Sequence, residues 1–160
     1  MISADIVPLQ FWQDPQSDVI LIYGECECSV YFRCWESAGF PADYIGHLSF
    51  EGASAVRSFP REHHPYQTPE VGQRSYILRV EDSDLARNYI EYRTRHYPQF
   101  QIKEKTHYVV LGHDIYHEIL ATSFATAMIP KVQNHRCETT GPYRSRVTRN
   151  AVSEQSARNA

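Results

Sequence analysis

No stretch of this chain approaches eighteen consecutive apolar residues, so no segment reads as a membrane-crossing helix. The opening Met1-Ile2-Ser3-Ala4-Asp5 lacks the basic flank and apolar run of a secretory leader, and a cytoplasmic location is expected. Cysteine is scarce. Four residues in 160 (Cys26, Cys28, Cys34 and Cys137) do not make the framework of a small disulfide-stapled domain, so reduced thiols are expected. Neither GxGxxG nor GxxxxGK[ST] occurs, which removes the usual backbone cradles for phosphate groups, and no cofactor is expected. Internal repeats and low-complexity blocks are absent as well.

What remains suits one domain with a substantial core: 160 residues, of which 42% are hydrophobic. The net charge of -3 conceals a division. Residues 1–130 hold ten Lys and Arg against seventeen Asp and Glu, whereas residues 131–160 hold six against two. The first part is expected to be a single α+β domain with an acidic surface. The second is rich in Arg, Ser, Thr and Asn without hydrophobic periodicity, and is expected to be a flexible, disordered polar tail.

Several segments of the body alternate with the period of a strand. Val19 to Tyr23 is a short apolar run; Glu25 to Trp35 then alternates, placing Cys26, Cys28, Val30, Phe32 and Cys34 on one face as a core stripe. Tyr44 to Phe50 points Leu48 and Phe50 inward, and Glu51-Gly52 marks either a bulge or a break before Ala53 to Phe59. Ser75 to Glu81, Thr106 to Leu111 and Ile115 to Ala121 are further strands, the last two joined by a hairpin at Gly112-His113-Asp114. Ser123 to Ile129 and the region Ile6 to Trp12, which contains Pro8, are left open by their patterns.

Asp82-Ser83-Asp84 supplies capping oxygens and negative charge for a helix over about residues 83–96, stopped by Pro98. Its spacing groups Leu85, Tyr89, Tyr92 and His96 on a sheet-facing side, with Arg87, Glu91 and Arg95 as a surface ladder. Arg93 also falls in the inward arc, so either its stem snorkels to water or it meets a carboxylate such as Glu118. The sum is a mostly antiparallel sheet of five to seven strands with one main helix packed on one face.

Chemistry has few places to sit. His113, Asp114 and His117 crowd imidazoles and a carboxylate into five residues, types that ligate metal or pass a proton. On a helix the two histidines would share a face, but on a strand they are roughly 13 Å apart. A catalytic role would need a further histidine, such as His63, His64 or His107. Cys26 and Cys28, on one strand face, could share a metal only with outside help, and burial as small hydrophobes is the expectation. The long irregular stretch Pro60 to Gln73 carries His63, His64 and Tyr66, which together with Tyr116 are the candidate binding residues. Tyr31, Tyr66 and Tyr116 are expected at the surface, since tyrosine offers amphipathic contact area.

No chemical candidate outweighs its structural explanation. The chain is expected to be a non-enzymatic interaction module whose acidic body meets a basic protein partner, in the manner of an inhibitor or immunity protein. The alternative is a metal-assisted hydrolase or nuclease using His113, Asp114 and His117. Nucleic-acid contact is expected, if anywhere, only through the tail arginines.

Overall fold

The computed structural model describes residues 2–67 and 75–131. Within them the chain forms ten strands and one α-helix: β1 (Ala4–Pro8), β2 (Trp12–Gln13), β3 (Ile20–Tyr23), β4 (Cys28–Ser37), β5 (Phe40–Glu51), β6 (Ala55–Pro60), β7 (Tyr76–Val80), α1 (Asp84–His96), β8 (Thr106–Leu111), β9 (Ile115–Ala121) and β10 (Ser123–Pro130). All paired strands are antiparallel. The fold is α+β, mostly antiparallel sheet with a single helix.

The strands divide between two sheets. One has the order β1-β7-β8-β9-β6; the other has β10-β5-β4, with both β2 and β3 paired to β4. Ten strands exceed the five to seven read from sequence because three of them are short or proline-bearing. β1 ends on Pro8 at a sheet edge, where the missing N–H breaks no ladder, and β2 is two residues long. Ser123–Pro130, undecided by pattern, is the edge strand β10, paired along its length with β5. Gln99–Lys105 contributes no strand.

Alternation in β4 and β5 explains the main core. Val30, Phe32, Cys34, Leu48 and Phe50 point inward against Ile77, Tyr108, Val110 and Ile119 of the facing sheet. Each large side chain so buried contributes roughly 1.5 to 3 kcal/mol. Phe11 joins this layer through close packing on Gly46, where a Cβ would stand 2.6 Å from the Phe11 ring. Gly46 is therefore a contact requirement, not a weak point in the strand.

Two chain segments cross between the sheets side by side. At Gly52, with φ +60°, the chain leaves β5 for β6, and at Thr122 it leaves β9 for β10. The Lys105 ammonium donates to the Gly52 carbonyl at 2.6 Å and to Thr122 Oγ1 at 3.0 Å, tying both corners together. Gly52 thus marks a change of sheet instead of a bulge within one strand.

A second apolar cluster covers the outer face of the first sheet. Leu78, Val80, Val109, Leu111 and Tyr116 lie there beneath Tyr66, which comes from the segment following the single 3-10 turn Arg61–His63. The first turn of α1 closes the same side. Ser83 is the N-cap, its Oγ accepting from the Ala86 N–H at 3.1 Å, and Leu85 is the one buried helix residue. Beyond that turn the helix is more exposed than its periodicity suggests: Tyr92 is 54% exposed and meets the His96 ring at a tilt of 39°, with centroids 4.5 Å apart. The inward arc is Leu85, Ala86, Tyr89 and Arg93. Arg93 does not reach Glu118; its guanidinium lies over the Tyr97 ring at 4.8 Å. Arg87 pairs with Asp84 instead of Glu91.

Lys131, the first residue assigned to the tail, is anchored by its N–H to the Asp43 carbonyl at 2.7 Å and by Nζ to the Ala42 carbonyl at 2.6 Å. The remainder of the expected tail, residues 132–160 with Cys137, lies outside the described residues, as do residues 68–74 of the long loop.

Candidate functional site

The outer face of the first sheet carries the polar residues that the core does not explain. Strand register places Arg57 of β6 opposite Glu118 of β9, and Glu118 opposite Val109 of β8. His107 lies two residues before Val109, so it shares this face, opposite Val80 of β7. Glu118 and His107 are 7% and 4% exposed. Both sit inside a protein where a carboxylate or imidazole is stable only with partners.

Among the described residues the Glu118 carboxylate has one hydrogen bond: the Tyr66 hydroxyl donates to its Oε1 at 2.5 Å. No Lys, Arg or His nitrogen lies within 4.0 Å of its carboxylate among the described residues. Burial, then the bond to Glu118, pushes the Tyr66 hydroxyl far above its ordinary pKa, so it remains a donor at neutral pH. The His107 Nδ1 is 2.8 Å from Ser83 Oγ, the same atom that caps α1, while its Nε2 is buried without a hydrogen-bond partner among the described residues. Burial lowers the His107 pKa, and the Glu118 charge opposes that shift. The imidazole is neutral at pH 7.

These groups line a cavity of about 240 Å³ between the Tyr66 segment and the start of α1. Buried Glu118, His107 and Tyr66 form its inner wall, and exposed Arg57, Asp82 and Asp84 stand around the opening. Three carboxylates, one of them (Asp84) paired with Arg87, share this space with the Arg57 guanidinium.

Three of the four residues singled out for binding come together beside this cavity. His64 packs edge-on against Tyr66 and Tyr116, with centroids 5.3 and 5.4 Å away, and Tyr66 also meets the His107 ring at 5.9 Å. His63 points elsewhere, exposed and paired with Glu62 at 3.5 Å. Tyr66 and Tyr116 are not at the surface: they are 5% and 4% exposed, because the loop folds back over the sheet and turns their rings into a second core. Tyr31 is half-buried, stacked on His47 at 4.6 Å.

The residues proposed for metal chemistry are separated. His113 Nδ1 lies 2.8 Å from Asp114 Oδ1, both exposed at the hairpin tip, where the Gly112 N–H bonds the Ile115 carbonyl at 2.8 Å. His117 is buried on the opposite face of β9 from Glu118, with Nδ1 2.8 Å from Ser58 Oγ. Among the described residues no three His, Cys, Asp or Glu side chains gather closely enough to hold one ion. Cys28 and Cys34 are buried as expected, but Cys26 is exposed. β4 starts only at Cys28; Cys26 lies in the bend closed by the Gly24 N–H to the Glu27 carbonyl, so the two thiols do not share a strand face.

Glu118 and His107, like His117, are polar residues set in mostly apolar strands, and such interruptions are the signal in the sequence that polar groups lie inside. Comparison with protein-family models, curated proteins and solved structures finds no match for the chain.

Proposed function

We propose that the protein is a non-enzymatic interaction module that binds a basic protein partner. One observation carries this: the cavity on the outer sheet face gathers three carboxylates, Asp82, Asp84 and Glu118, of which Asp84 is paired with Arg87, beside the guanidinium of Arg57. The imbalance repeats in the chain at large, with seventeen acidic residues against ten basic ones over residues 1–130. Such a field raises the rate of encounter with cations and disfavours acidic competitors. A cytoplasmic setting suits the exposed thiol of Cys26, which would oxidise or cross-link in an oxidising compartment. No helix of the described residues is long and apolar enough to cross a membrane.

Co-purification of the full chain from its producing cells at low ionic strength, followed by reconstitution with the protein recovered, tests the function. A basic partner is expected, with affinity falling as salt shortens the Debye length from ~10 Å at 0.1 M to ~3 Å at 1 M. Recovery of the full chain alone at low salt would overturn it.

A further inference from the structure

We propose that the cavity between Tyr66, the first turn of α1 and the Glu118–His107 wall is the recognition pocket for a single cationic side chain, the guanidinium or ammonium group of an arginine or lysine. It rests on the reading of the protein as a module for a basic partner, and it names the place and the group.

Four observations converge on one ligand chemistry. First, Glu118 is a buried carboxylate whose only hydrogen bond is from the neutral Tyr66 hydroxyl, with no cation within salt-bridge distance among the described residues. Arg57, opposite Glu118 in the β6–β9 ladder, stands at the opening outside salt-bridge distance, and a cation entering the cavity supplies the direct partner that a buried carboxylate lacks. Secondly, the His107 Nε2, in the same wall, is buried and has no hydrogen-bond partner among the described residues. The Nδ1–Ser83 Oγ contact accommodates either tautomer; in the one with the proton on Nδ1, Nε2 presents a lone pair. Guanidinium and ammonium carry only donors, so each can satisfy both the carboxylate and that lone pair.

Thirdly, the volume of about 240 Å³ lies below the range of cavities for larger organic ligands, roughly 300 to 1,000 Å³, and fits one side chain. Fourthly, Tyr66 places an aromatic ring in the wall, a surface on which a desolvated cation is favoured. An anion fits less well despite the nearby helix N-terminus. The Ala86 N–H is already taken by Ser83, Asp84 lies in the first turn, and Glu118 would repel a second negative group.

The experiment is an NMR titration of the full chain with N-acetyl-arginine amide and N-acetyl-lysine amide, following the His107 ring and the Tyr66 backbone. N-acetyl-citrulline amide serves as the uncharged isostere and inorganic phosphate as the anion. At least one cationic probe is expected to produce saturable shifts, with citrulline weaker by roughly tenfold or more because a charge-assisted hydrogen bond is lost. Glu118→Gln should weaken the cationic probe by a similar factor, and His113→Ala, at the hairpin tip, should leave it unchanged. Should Glu118→Gln fail to fold, Asp82→Asn at the rim provides the second arm, with a loss of a few-fold expected.

Absence of saturable shifts with both cations, equal affinity for citrulline, or preference for phosphate would each overturn the pocket. A basic partner that still binds Glu118→Gln with undiminished affinity also overturns the pocket while leaving the module intact. Cationic probes that bind a chain having no basic partner would reject the module and retain the pocket.

Discussion

Tyr66 donates its hydroxyl proton to Glu118 across 52 positions of sequence, and both side chains are buried. The bond staples the segment after β6 onto the outer face of β9. Among the described residues it is also the only hydrogen bond to the Glu118 carboxylate, so the two partners have unequal consequences when removed. Tyr66→Phe leaves a buried acceptor unsatisfied and is expected to cost about 1 to 3 kcal/mol. Glu118→Gln keeps an acceptor for Tyr66 and removes the buried charge, so stability should change by less than about 1 kcal/mol or rise. Urea unfolding of the two variants measures the difference, and equal losses would show that the carboxylate charge, not the hydrogen bond, governs the site.

Burial holds the pKa of His64, His107 and His117 below the ordinary 6.5 of histidine. The unfolded chain therefore takes up protons first as pH falls. Stability is full above pH 6.5, declines below it, and levels off once the folded-state values are passed. For the two buried rings the slope approaches about 1.4 kcal/mol per pH unit for each proton taken up on unfolding. Replacing His117 with Gln should make the decline shallower. Unfolding free energies between about pH 8 and pH 5 test this, and a flat profile would contradict it.

Gly46 of β5 faces the Phe11 ring so closely that a methyl group would lie 2.6 to 2.7 Å from three ring carbons. Phe11 is buried and has nowhere to retreat without disturbing Phe32, whose ring centroid is 5.2 Å away. Gly46→Ala is expected to destabilise the fold by roughly 1 to 3 kcal/mol, in spite of alanine's smaller backbone entropy cost. A thermal midpoint equal to or above that of the parent would refute the close packing.

Burial, with a contribution from Glu27, raises the Cys28 thiol to about 11, and burial also raises Cys34. Cys26 is exposed. In the native protein, iodoacetamide should therefore modify Cys26 rapidly, leaving Cys28 and Cys34 protected until denaturant is added. Peptide mapping by mass spectrometry reads each site separately, and early labelling of Cys34 would contradict its place between the sheets.

Sequence alone determined the elements whose pattern is local. Alternation in β4 and β5 marked Val30, Phe32, Leu48 and Phe50 as core, Ser83 announced the helix that ends at His96, and Gly112 to Asp114 announced the hairpin. Period and capping are properties of adjacent residues and need no knowledge of what they pack against. Tertiary structure decided the rest. β9 is buried on both faces, so nothing in its own order of residues separates Glu118, turned towards Tyr66, from His117, turned towards Ser58. The fate of Tyr66 and Tyr116 depended on a loop folding back over a sheet, and that of Cys26 on a bend that delays the start of β4 to Cys28, past the Glu25 at which the alternation begins. The cavity exists only because β8, β9, the start of α1 and the Tyr66 segment meet, and contacts between residues far apart in the chain leave no periodic trace along it.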